Sequence, residues 1–213
     1  MRRAVTLAAV LCMVLGAGCS SGSSEPKPVV RKPTASTIVW PAPADAMART
    51  RAAGLVPDTH ENFVHHVHAH LDVFVDGQTV TVPAGIGINI RDPRVNVFPP
   101  VDVEGATGYG GIDPACEQPC ISPLHTHDVT GIIHTESLTN VDNTLGELFV
   151  EWGVKLDPKC VEKYCRPDTK IAIYVDGEPF TGDPREIALS DHKEIAIVIG
   201  SPPADIPSAF NFG

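Results

Sequence analysis

The stretch that most constrains the fold is His65 to Asp72, H-H-V-H-A-H-L-D, which predicts the start of a β-strand. Val67, Ala69, Leu71, Val73 and Val75 alternate with His66, His68, His70 and Asp72. Apolar–polar alternation of period two marks a strand with one buried face. The opposite face then carries three imidazoles in a row. His65 falls on the apolar face and is left out of the candidate site.

A second cluster, L-H-T-H-D-V-T-G-I-I-H from Leu124 to His134, reads as a hairpin with turn chemistry at Asp128 to Gly131. An even-length loop centred on Val129 and Thr130 sets His125 opposite His134, with His127 diagonal to it. Opposed Cβ atoms stand about 4.5–5.5 Å apart and diagonal ones about 7–8 Å, so the rings can converge. The candidate metal ligands are therefore His66, His68, His70, His125, His127 and His134, and the two triplets are expected to face each other across one site. Asp72, Asp128 and Glu136 are available as further ligands or as acceptors that orient imidazole N–H groups.

The N-terminus speaks to compartment. Arg2 and Arg3 precede a short apolar run, Ala4 to Leu15, and Gly16, Ala17 and Gly18 precede Cys19. The run is too short for an ordinary transmembrane helix and suits a signal peptide. Residues 1–18 resemble a lipoprotein signal with Cys19 as the lipidated residue, although Gly16 stands where leucine is usual; cleavage as an ordinary secretory signal is the alternative. Cys12 would leave too short an apolar run. Residues 19–43, rich in Ser, Pro, Lys and Thr, read as a tether, and 44–213 as a single domain. The expected location is extracytoplasmic, anchored by lipid to the cell membrane.

Charge narrows the partners. The chain has 16 basic and 26 acidic residues, and loss of Arg2 and Arg3 with the signal takes the formal net charge from −10 to −12. That argues against nucleic acid or an anionic membrane surface as a partner, and leaves the lipid as the membrane contact. In an oxidising compartment Cys116, Cys120, Cys160 and Cys165 are expected to form two disulfides, with the local pairs favoured among three possible pairings. A site of four thiolates is the alternative.

Elsewhere, Ala44 to Gly54 reads as a short helix. Asp76-Gly77 and Asp176-Gly177 read as hairpin turns. Thr144 to Trp152 reads as a helix opened by a Thr144/Glu147 capping box and closed by Gly153. Ile187 to Leu189 and Ile195 to Ile199 read as the last two strands, with Ser190 to Lys193 turning between them. His60 and His192 are read as solvated, and Pro202 to Gly213 as a loosely packed tail. The fold class is α+β, mainly antiparallel sheet with one or two short helices. Across residues 45–200, H-x-H-x-H-L-D-V-F-V-D-G, L-H-T-H-D-x-T-G-I-I-H-T-E-S and T-L-G-E-L-F-V-E-W-G resemble an uncharacterised family of exported prokaryotic proteins. The resemblance implies an architecture and a histidine pattern and no activity.

Neutral imidazole is a common ligand for zinc and copper. Six histidines exceed one tetrahedral shell, so one or two ions per chain are expected, zinc or copper. Three function classes are compatible with this: a metal-binding lipoprotein for sensing, buffering or delivery; a three-histidine zinc enzyme of hydrolytic or hydration type; or an envelope structural or interaction module with a pH-responsive face. No catalytic residue is assignable, since neither H-E-x-x-H nor a G-x-S-x-G nucleophile elbow occurs within residues 44–213.

Overall fold

Strand β1 spans His65–Val75, and its alternation is realised as read. Ala69, Leu71, Val73 and Val75 are buried in the main core, while His66, His68, His70 and Asp72 occupy the other face. The computed structural model describes residues 38–100 and 105–212; the signal segment and Cys19 lie outside the described residues.

The helices and remaining strands come in the order α1 (Ala46–Ala52), β2 (Gln78–Val80), β3 (Asn96–Phe98), β4 (Gly108–Gly110), β5 (Leu124–His125), β6 (Ile132–Ser137) and α2 (Leu145–Trp152). After them come β7 (Cys160–Val161), β8 (Tyr164–Cys165), β9 (Ile171–Val175), β10 (Glu178–Phe180) and β11 (Lys193–Ile199). Seven strands form one sheet in the order β10-β9-β11-β1-β6-β5, with β2 also paired to β1. All of these pairings are antiparallel except β1 with β11. The fold is α+β, as the sequence predicts.

Helix α2 covers one face of the sheet. Its capping box is complete, with Thr144 accepting from Glu147 N–H and Glu147 accepting from Thr144 N–H, and Gly153 closes it at φ +72°. Leu145, Leu148, Phe149 and Trp152 pack onto the apolar side of β1, β9 and β11. Trp152 also donates its indole N–H to the Trp40 carbonyl at 2.8 Å, and the two rings lie 5.7 Å apart. The expected tether is therefore shorter at its C-terminal end, because the buried Trp40 brings that end onto the core.

Three further expectations are corrected. Ile187–Leu189 is no sheet strand: Ile187 O accepts from Leu145 N and Leu189 N donates to Asn143 O, which backs the start of α2. Strand β11 pairs with β9 and β1, so the chain from β1 to β11 makes a long crossover. The tail is not loose. Ile206 packs on Phe74, Ala196 and Val198, and Phe210 stacks on His70 with ring centroids 3.9 Å apart.

Both disulfides are the local pairs, Cys116–Cys120 and Cys160–Cys165, so the four-thiolate alternative has no thiolates. The first staples a small second core of Ile88, Val95, Ile112 and Ile121 beside β5. Two disulfides fit an oxidising, extracytoplasmic location. Among the described residues no helix is long and apolar enough to cross a membrane.

One carboxyl is buried inside the helical layer. Glu151 of α2 is fully buried, 2.7 Å from the Thr50 hydroxyl, which also lies 3.2 Å from the Ala46 carbonyl. Burial pushes its pKa up to about 7, against hydrogen bonds from Ser122 and Thr50 that lower it. An acid with a raised folded pKa leaves the protein most stable below the unfolded value, near 4.5, and costs stability as pH rises through about 7. The loss is on the order of 3 kcal/mol across that window. Glu151→Gln should flatten the dependence of thermal stability on pH between 5 and 8. An unchanged slope in the variant would contradict the assignment.

Candidate metal centre

The register of the sheet assembles the histidines. Because β6 pairs antiparallel with β1, His134 lies directly opposite His68 and Glu136 opposite His66. Because β5 pairs with β6, His125 lies opposite His134, as the loop geometry predicts. Directly opposed residues share a face. His66, His68, His125, His127 and His134 therefore gather with Glu136 on one side of the sheet.

Glu136 Oε1 sits among four imidazoles: 3.2 Å from His66 Nε2, 3.3 Å from His134 Nδ1, 3.8 Å from His125 Nε2 and 3.9 Å from His127 Nε2. Two overlapping groups could hold a metal ion. One is His125, His127, His134 and Glu136; the other is His66, His68 and His134. His134 belongs to both.

The protonation of the first group is set by the main chain. His125 Nδ1 lies 2.9 Å from the Ser122 carbonyl, and His127 Nδ1 lies 2.6 Å from the Tyr109 carbonyl. A carbonyl oxygen only accepts, so both Nδ1 atoms carry a proton, and in the neutral rings both Nε2 atoms present lone pairs. Those two Nε2 atoms are 3.2 Å apart. Ligands at about 2.0–2.1 Å from a tetrahedral ion stand about 3.3–3.4 Å from one another. His134 Nδ1 is buried 3.3 Å from Glu136 Oε1 and makes no well-aligned hydrogen bond, and His134 belongs to the same ligand group. Close approach of the β4 loop makes this possible. A Cβ at Gly110, whose φ is +149°, would stand 2.4 Å from His127 Nδ1.

The electrostatics are those of a site that wants a cation. Burial and the neighbouring His127 push His125 well below its ordinary value. Burial, with the charges of His127 and His68, pushes His134 down to about 4 against the pull of Glu136. Burial also lowers His127, but Glu136 and the Tyr109 carbonyl outweigh it and raise the net value. Burial raises Glu136, yet His127, His134 and His125 hold it well below the usual carboxylate range. His68 is lowered, first by burial and then by His66.

The other candidates lie elsewhere. His70 stands outside the five-histidine group: its Nε2 is 2.9 Å from the Thr130 carbonyl and its Nδ1 2.9 Å from Glu194 Oε2. Asp72 groups with His70 and Glu194. Asp128 accepts from the Thr130 N–H and hydroxyl and shapes the hairpin turn. His65 points to the other face and contacts Asp142 at 3.0 Å. His60 is exposed, and His192 is exposed with Phe212 stacked on its ring. Glu194 carries no signal by itself in the sequence, since its role depends on the parallel pairing of β11 with β1.

A groove of about 500 Å³ reaches the centre from one side, with His125 and Glu136 in its wall and Leu55, Val56, Leu138 and Val141 along it. No protein-family model matches the chain, and neither a curated protein nor a solved structure matches it significantly.

Protons compete with metal for these nitrogens. In the metal-free protein burial holds His125 well below the ordinary imidazole value and His134 at about 4, whereas His127 is raised above that value by Glu136 and the Tyr109 carbonyl. As pH falls, His127 should take up its proton first, so the initial loss of zinc affinity should have a slope of about one proton per ion, followed by competition titration against a chromophoric chelator. A slope of three or more would contradict this protonation pattern.

Proposed function

We propose that the protein is an exported, lipid-anchored binder of a transition metal, copper or zinc, serving sensing, buffering or delivery. The observation that carries the reading is the pair of Nε2 lone pairs, on His125 and His127, fixed face to face by main-chain carbonyls. Two lone pairs held at that separation repel unless a proton or a metal ion lies between them, and a metal ion would engage both Nε2 atoms with His134 and Glu136 at once. The donor chemistry, imidazole with one carboxylate, suits zinc or copper rather than calcium or magnesium.

Binding fits better than catalysis because His125, His127, His134 and Glu136 offer four protein ligands, the complement of a closed site. The donors are also graded in exposure. The His66 side chain is 34% exposed, that of His134 16% and that of His125 1%. An ion captured at His66 and His68 can pass through His134, which both groups share, to the buried ligands. Such a stepwise path suits acquisition and release. The resemblance to exported proteins and the signal segment 1–18 directly before Cys19 support anchoring outside the cytoplasm.

One observation favours zinc hydration or hydrolysis as the second reading: the groove walled by His125 and Glu136 would let a small substrate approach the ion. Glu136 would then act on a bound water and leave three histidines as ligands. Cobalt substitution separates the two, because a metal-bound water gives a pH-dependent visible spectrum and a four-ligand protein shell does not.

His125→Ala with His134→Ala should weaken zinc or copper binding by more than about a hundredfold, since outer-shell groups alone are worth about 10–100-fold. His66→Ala with His68→Ala should keep the tight ion and slow its loading. Equal loss in both double variants would contradict the graded path, and tight binding in the first would contradict the centre. Separately, Cys19→Ser should move the protein from the membrane fraction to the soluble one. Unchanged membrane retention would contradict lipid anchoring.

A further inference from the structure

We propose a second cation site formed by His70, Asp72 and Glu194, separate from the five-histidine centre and selective for a harder divalent ion of the Mn²⁺ type. The site is independent of the histidine centre, because it uses none of the same ligands.

One ligand atom from each of the three residues lies within 4.8 Å of the others. The parallel register puts Glu194 beside His70, and Asp72 stands two residues along the same face of β1. His70 Nε2 lies 2.9 Å from the Thr130 carbonyl, so Nε2 carries the proton and Nδ1 presents a lone pair. That lone pair points at Glu194 Oε2, 2.9 Å away. Two acceptors in such contact need a cation or a proton between them. A proton satisfies only that one contact. Glu194 is 1% exposed, and its other oxygen, Oε1, is buried with no hydrogen-bond partner. A buried carboxylate oxygen without a partner is unfavourable, and a second carboxylate beside it adds repulsion. A divalent ion bound by both carboxylates and His70 Nδ1 would remove both penalties.

The surroundings are built for enclosure. Phe210 lies flat on the His70 imidazole, with ring planes 11° apart, and closes that side of the site. The backbone at Gly131, φ +88°, passes so close to His70 that a Cβ there would stand 2.8 Å from Nε2. These contacts hold the ring with Nδ1 toward the carboxylates. One nitrogen and two carboxylates make a harder donor set than the imidazole cluster, and soft or borderline ions will prefer the latter. The two sites thus divide the metals by chemistry.

Mn²⁺ is the probe, followed by loss of the free-ion EPR signal on titration into the full chain. The wild type and the His125→Ala/His134→Ala variant should each take up one Mn²⁺. Glu194→Gln and Asp72→Asn should each weaken that binding at least tenfold, with the metal-free thermal midpoint checked for both. Asp72 is partly exposed, so its variant keeps the test open if Glu194→Gln fails to fold. Absence of Mn²⁺ binding in the wild type, or binding within twofold of wild type in Asp72→Asn, would overturn the site. Loss of Mn²⁺ in His125→Ala/His134→Ala with retention in Glu194→Gln would also overturn it, while leaving the histidine centre standing. Loss of tight zinc binding in the histidine variant with Mn²⁺ binding intact would support both sites.

Discussion

Strand β1 cannot slip. Its odd positions, Ala69, Leu71, Val73 and Val75, are buried against α2 and the neighbouring strands. Moving the register by one residue would turn these side chains out and the histidines in. Full burial of a Val or Leu side chain is worth roughly 1.5–3 kcal/mol, so such a slip would cost more than a typical domain can spare. The apolar face therefore fixes the polar one. With β1 locked, His134 must stand opposite His68, and His125 opposite His134. The candidate metal centre is thus positioned by packing on the far side of the sheet from itself.

Packing explains where the imidazoles stand, and hydrogen bonds explain which nitrogens they offer. The small core stapled by Cys116–Cys120 carries Tyr109 at its edge, and the loop leading into β5 supplies Ser122. Their carbonyls take the Nδ1 protons of His127 and His125. This is the outer-shell arrangement that orients metal-bound histidine in general. The charges agree with it. Glu136 is 4% exposed and remains an anion because imidazoles surround it. The imidazoles that hold Glu136 as an anion in the metal-free protein stand where a bound cation would replace them as its counter-charge.

Local signals are legible in the sequence and distant pairings are not. The period of β1, the loop-centred register of His125 with His134, the capping box of α2 and the two local disulfides all rest on residues close in the chain. Each arises from short-range geometry or chemistry. The errors share the opposite origin. Ile187–Leu189 has strand-like composition, but its hydrogen bonds go to the segment that opens α2. The partnership of His70 with Glu194 requires β11 to return parallel to β1 across more than a hundred residues. Likewise, Trp40 and Phe210 lie in Pro-rich segments that look like spacers. Their burial comes from partners, Trp152 and His70, which no local pattern identifies.

In the proposed centre His125 Nε2 and His127 Nε2 both ligate one shared ion. Anomalous diffraction at the metal edge, from crystals of zinc- or copper-loaded protein, tests it most directly. A peak is expected about 2.0–2.2 Å from both Nε2 atoms, with His134 or Glu136 completing the shell. A loaded crystal with no peak between those two nitrogens, or with the ion bound only at other residues, would contradict it.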